Sequence, residues 1–207
     1  MNGCYIREMG PDKLAEISKE WFAKTVVQAN NEAKEGSRIV PSLTKEELDK
    51  LDRQVKEFDE ASVEEQLKFV DDNFETFKKT CPLIIERLER LDQIPGKLSF
   101  MFWGKELVLD EKSKDKVLAK EGSGAKEVLS AAREIFADES IKWECDALQN
   151  KCQELCEKLD MKPRNVFQPI RVAIAGNMVS PPLFECVELM QREDIVARLD
   201  AAIGFIS

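Results

Sequence analysis

The chain has 207 residues, a formal charge of −9 at neutral pH, six cysteines and no histidine; 34% of its residues are charged and 43% hydrophobic. That length leaves room for one large or two small domains with ample core, and the acidic balance argues against a generally basic nucleic-acid binder. Without histidine, Ser-His-Asp and Cys-His catalysis and His-containing zinc sites are excluded. No apolar run approaches the ~18 residues that span a bilayer, and no basic-then-apolar leader opens the chain, so a cytoplasmic chain with no membrane contact is expected.

Asn2-Gly3 reads as a turn, and Gly10-Pro11 starts a helix with Leu14, Ile17 and Trp21 on one face. Glu35-Gly36-Ser37 and Pro41-Ser42 bound a polar interruption. Thr44 to Glu47 is a capping box ahead of Leu48, Leu51, Val55 and Phe58. Ser62 to Glu65 is a second, ahead of Val63, Leu67, Val70, Phe74 and Phe77. In each the hydroxyl serves the N3 amide and the glutamate returns the bond, and the apolar spacing is helical. Two long helices with a short break predict an αα-hairpin.

Pro82 is expected to open the next helix, with Ile84, Leu88 and Leu91 inward and Arg87 and Arg90 on the opposite side beside Glu86 and Glu89. Pro95-Gly96 breaks the chain before Leu98–Trp103, an apolar and aromatic stretch read as core helix. Leu107-Val108-Leu109 is strand-like but too short to build a sheet. Lys112-Ser-Lys-Asp-Lys116 reads as a solvated charged helix, because no nucleotide-binding βα pattern precedes it.

Glu121-Gly-Ser-Gly124 is the candidate hinge between two bundles. Ala125 to Phe136 is a helix, and a longer one follows with Ile141, Cys145, Leu148, Cys152, Leu155 and Leu159 at four-three spacing. Cys145 and Cys152 then read as small apolar knobs. With Cys156 they lie on one helix without an evident fourth ligand, so no metal site is expected. Val187 and Met190 belong to a penultimate helix, Ile195, Leu199 and Ile203 to a last one, with Gly204 as its C-cap. The class is all-α: two helical bundles, 1–104 and 105–207, divided near Trp103 to Gly124.

One run differs from the rest. Phe167 to Glu185 has only Arg171 and Glu185 as charges and holds Pro169, Gly176, Pro181 and Pro182. Pro169 is read as starting a short apolar segment, Gly176 as a position free of the Cβ penalty, Ser180 as a helix N-cap and Pro181 as the first helical residue. From Met161 onward, Lys162, Arg164, Arg171, Arg192 and Arg198 balance Glu185, Glu188, Glu193, Asp194 and Asp200. The charge deficit thus lies in the first 160 residues, and RNA binding would have to use a local basic patch.

The string QPIRVAIAGNMVSPPLFE resembles the QPLRxALTGxxxSPGLFE signature of the last, anticodon-binding domain of bacterial glutamyl-tRNA synthetases. Leu189 to Leu199 resembles the LLGKERVLxRL tail of that domain, and Met1 to Glu8 the W-x-NGxYIR segment that follows the catalytic half. Roughly Ala23 to Ala61 is read as an insertion. The resemblance implies a fragment lacking the catalytic half, whose parent joins glutamate to its tRNA using ATP and magnesium. No cofactor, metal ligand or catalytic residue is expected in the chain itself. The implied partner is tRNA, glutamate-specific or also glutamine-specific, without DNA, and the chain is expected to be monomeric.

Reading unpaired anticodon bases needs Arg or Gln forks, backbone groups and apolar shelves. The resemblance places these on Arg87, Gln168, Arg171, Ser180, Pro181 and Leu183. Arg90, Lys162 and Arg164 are phosphate-contact candidates on charge alone. Each has a structural alternative: Arg87 and Arg90 as partners of neighbouring glutamates, Arg171 as a salt-bridge residue, Leu183 as core. A helical protein-interaction module that has lost tRNA binding is the rival function. Three departures stand out: Gln191 for the family glycine, Ala175 for the threonine of ALTG, and Pro182 for a frequent glycine.

Overall fold

The computed structural model describes residues 3–35, 37–39, 53, 56, 57 and 61–206, and these divide into two compact units, one within 1–32 and 42–102, the other within 33–41 and 103–207. The capping box at Thr44–Glu47 and the whole stripe of Leu48, Leu51, Val55 and Phe58 lie outside the described residues, as does Asn2.

In the first unit, α1 (Gly3–Ile17) is kinked at Gly10, whose φ of 78° and ψ of 165° leave the helix before Pro11 resumes it. The expected helix start is therefore a kink with helix on both sides. Ser18 separates α1 from α2 (Lys19–Glu35), its hydroxyl donating to the Leu14 carbonyl at 2.6 Å. α3 (Val63–Asp72) opens on the expected Ser62–Glu65 box, both reciprocal bonds present. α4 (Phe74–Ile84) holds Pro82 near its end rather than at its start. The missing N–H costs one bond, while Phe77, Cys81 and Ile84 stay buried on the helix's inner face.

A 3-10 turn (Ile85–Arg87) and a second (Leu91–Gln93) lead into α5 (Ile94–Leu98). Pro95 thus sits in the first turn of a helix, where its missing N–H is harmless, and Gly96 sits inside it, so this pair does not break the chain. Ser99–Phe102 follows as another 3-10 turn. The core gathers Ile6, Leu14, Phe22, Phe77, Ile84 and Leu88, with Phe22 and Phe77 stacked at 4.8 Å. Each such side chain contributes roughly 1.5–3 kcal/mol of burial.

The second unit begins with a finding the sequence did not predict. β1 (Ser37–Ile39) pairs antiparallel with β2 (Leu107–Leu109), Arg38 opposite Val108. A three-residue strand can belong to a ladder when its partner is distant in sequence. α6 (Glu111–Ser113) runs into a π-helical turn (Lys114–Leu118) that buries Ser113, Val117 and Leu118. The charged 112–116 stretch is accordingly solvated on one side only.

α7 (Ala125–Ala137) packs against α11 (Arg192–Ile206), with α8 (Cys145–Lys158), α9 (Pro163–Ala175) and α10 (Leu183–Glu188) between them in sequence. Gly122 and Gly124 have φ of 70° and 69°, and Gly124 precedes α7; the expected hinge is a cap turn inside the second unit. The long-helix stripe is shorter than its pattern: α8 starts at Cys145 after Glu144, and Ile141 lies ahead of it. Burial pushes the Cys152 thiol up to about 12 and Cys145 up to about 11, as expected of inert packing residues. Gly204 lies inside α11, not beyond it. Among the described residues no helix is long and apolar enough to cross a membrane, and no three or more His, Cys, Asp or Glu side chains converge as a metal site.

Candidate nucleic-acid interface

The Phe167–Glu185 run forms the second half of α9, the loop 176–182 and the start of α10. Pro169 lies inside α9, and the helix survives it because Val166, Ile170, Val172, Ala173 and Ile174 are all fully buried. Gly176 ends α9 in the left-handed region at φ 69°. A Cβ there would lie 1.9 Å from the Val108 carbonyl oxygen and 2.9 Å from the Trp103 ring. Close approach of β2 to the helix end therefore demands glycine twice over, for conformation and for space.

The loop is held at alternate residues. The Asp110 N–H donates to the Gly176 carbonyl at 2.9 Å. The Met178 N–H donates to the buried Ser113 hydroxyl at 3.1 Å, while Gln168 Nε2 donates to the Met178 carbonyl at 2.9 Å. Arg171 Nη1 donates to the Ser180 hydroxyl and, at 3.1 Å, to the Pro181 carbonyl. Ser113 is itself fixed by Asp110 Oδ2, which accepts its amide at 2.8 Å and its hydroxyl at 2.7 Å. Those two bonds hold the Asp110 carboxyl below the ordinary carboxylate range.

Behind the loop lies Arg198, fully buried, a residue that sequence reasoning took only as charge balance. Its Nε donates to the Gly104 carbonyl and its Nη1 to the Ile174 carbonyl, both at 2.8 Å, and its guanidinium lies 5.5 Å from the Trp103 ring centroid. Burial pushes its pKa down to about 10, against the pull of Asp194 and Glu106. Asp194 is raised by its own burial. An arginine closing the apolar register of the last helix was the available signal, since Ile195 and Leu199 flank it on that face.

The loop residues differ from the sequence expectation in one respect. α10 begins at Leu183 with Pro182 in the cap position, so Ser180 is not its N-cap and Pro181 is not its first residue. The physical reason is double. Pro182 has no N–H to offer a serine two residues earlier, and the Ser180 hydroxyl is engaged by Arg171 and the Pro181 carbonyl. Leu183 is 3% exposed and Pro181 is buried, whereas Gln168, Arg171 and Ser180 are half-buried. Lys162 and Arg164 are exposed at the start of α9.

In the first unit, Arg87 and Arg90 are exposed while Ile84 and Leu88 are buried, the partition the spacing predicts. Gln93 Oε1 accepts the Glu89 and Arg90 amides at 3.0 and 3.2 Å, and Arg90 Nε donates to Asp92 at 3.0 Å.

The family described as anticodon binding domain matches residues 55–203. The chain belongs to that family. The chain is 39% identical over 126 residues to the glutamate–tRNA ligase of Nocardioides sp., covering 59% of the chain and 25% of that protein. It is 31% identical over 207 residues to the glutamate–tRNA ligase of Chloroflexus aurantiacus, covering 99% of the chain and 33% of that protein. The chain thus spans between a quarter and a third of the length of these relatives. Its fold is similar to part of the crystal structure of a glutamate tRNA ligase from Elizabethkingia meningosepticum in complex with its amino acid, with a TM-score of 0.59 at 18% identity, covering 100% of the chain and 31% of that structure.

Proposed function

We propose that this chain is the tRNA anticodon-arm-binding part of a glutamate–tRNA ligase, acting in the cytoplasm as a monomer without DNA or membrane partners. The match of the anticodon-binding family over residues 55–203, a range that includes the 176–182 loop pinned by Ser113 of α6 and by Gln168 and Arg171 of α9, carries this reading. The intact ligase would attach glutamate to tRNA in its catalytic part, where ATP and magnesium act. The chain's own residues bind and orient. Glutamate-specific tRNA is the proposed partner, with glutamine-specific tRNA the second candidate.

The roles divide by exposure. Arg87 approaches an anticodon base, and Arg90, Lys162 and Arg164 neutralise phosphates, which position RNA without reading it. Gln168, Arg171 and Ser180 fix the loop's backbone and offer polar edges. Pro181 and Leu183 support it from beneath. A gel shift with the glutamate tRNA anticodon arm tests the proposal: weak binding that falls with salt, and weaker binding to an anticodon-substituted arm, are expected. Equal binding to an unrelated tRNA would overturn it. Arg87→Ala should erode the preference between arms while leaving the unfolding curve in place.

A further inference from the structure

The sequence places the apolar shelf of the site on Leu183, and the structure buries Leu183. Val179 takes its place: it is 82% exposed, the highest value among the large apolar side chains described. A single exposed valine needs no explanation on most surfaces. What sets this one apart is the rigidity beneath it. The carbonyl of 176, both backbone groups of 178, the hydroxyl of 180 and the carbonyl of 181 are all hydrogen-bonded into the unit. The Val179 N–H is itself taken by Asn177 Oδ1 at 3.1 Å. The alternate residues 177 and 179 are then the two that face solvent.

A shelf held this way loses little freedom on binding. A row of polar side chains on α9 leads away from the loop. Arg164, Gln168 and Arg171 recur at i, i+4 and i+7 along one face of α9, and Gln168 and Arg171 both touch the loop. The exposed Arg164 continues that row by one turn.

We infer that Val179, with Asn177 beside it, is the base-contacting face of this loop and receives an unpaired RNA base whose backbone phosphate meets Arg164. Apolar surface covers the base's face, and the Asn177 amide lies at its edge. Paired bases present no free face, so the contact selects single-stranded loops. The inference rests on the proposed tRNA reading and adds two residues to that site.

The test compares two RNAs of equal length and charge, the glutamate tRNA anticodon stem-loop and a fully paired duplex, by fluorescence anisotropy. Val179→Ser should weaken stem-loop binding about fivefold, Val179→Ile should restore it, and neither should alter duplex binding. Arg164→Gln should weaken both RNAs and lower the salt dependence. Unfolding of each variant should match the parent, since the side chains are exposed. Stem-loop affinity within twofold of the parent for Val179→Ser would overturn the inference while leaving the tRNA reading intact. A parent chain that does not prefer stem-loop over duplex would remove the tRNA reading and this inference with it.

Discussion

The 176–182 loop of the second unit and the 88–93 turn of the first carry proposed RNA contacts and are built in opposite ways. The first-unit turn is shaped by bonds spanning four residues or fewer: Gln93 to the amides of Glu89 and Arg90, and Arg90 to Asp92. The second-unit loop takes bonds from Gln168 and Arg171, nine to ten residues away, and is further shaped by Ser113, 65 residues away, and by the seat that Arg198 fixes at Ile174, 24 residues away. Local bonds form wherever the local sequence goes. Non-local ones form only when the whole unit has closed, so they couple the loop's geometry to the stability of the fold.

That contrast can be broken by mutation, and the largest effect should come from Arg198→Ala. It strips the buried Ile174 carbonyl and the part-buried Gly104 carbonyl of a donor and leaves Asp194 without its buried counter-charge, which should cost about 3–5 kcal/mol in urea unfolding. Gly176→Ala should follow at about 2–3 kcal/mol, from the left-handed φ together with the clash at the Val108 carbonyl. Ser113→Ala should cost about 1–2 kcal/mol and speed hydrogen exchange at the Met178 amide while the first unit's amides are unchanged. Gln93→Ala should cost about 1 kcal/mol or less and leave second-unit exchange untouched. A Gln93 effect as large as that of Arg198 would dissolve the distinction between local and closed construction.

The smallest effect is on the acid limb. The Asp110 carboxyl is held low by the Ser113 hydroxyl and amide, so its stabilisation is fully present above the unfolded carboxylate value, near 4, and fades as pH falls through the lower folded value. Glu65 is held low by the Ser62 amide and hydroxyl in the same direction. Asp194, raised by burial, has the opposite sign and should favour folding as it protonates. Asp110→Asn should therefore flatten the fall in stability below pH 4, most visibly as earlier loss of Met178 amide protection in the parent than in the variant.

The same division explains what could be read from the chain. The Ser62–Glu65 box, the burial of Ile84 and Leu88 under exposed Arg87 and Arg90, and the left-handed Gly176 are all properties of a few adjacent residues, and they were legible. Pro82 and Pro169 were misplaced because a lost N–H looks decisive in sequence, yet several fully buried neighbours outweigh it in the folded helix. The β1–β2 ladder was invisible, since Leu107–Leu109 acquires strand geometry only from residues 37–39. Ser180 looked like a cap until Arg171 claimed its hydroxyl. At the site, polar composition was readable, but exposure was not: the pattern nominated Leu183 as an apolar shelf, and Leu183 is buried whereas Val179 is exposed.

Arg198 has one consequence for how the protein is made. Its carbonyl partners at Gly104 and Ile174 both precede it, and it lies on α11, which follows the loop in the chain. During synthesis the loop residues leave the ribosome before the side chain that locks the end of α9. Until α11 docks, Gly104 and Ile174 must satisfy their carbonyls with water, and the 176–182 loop has no fixed seat. The surface that would recognise RNA is therefore finished last, and a nascent chain short of Arg198 should hold a folded first unit while the 176–182 loop is still unformed.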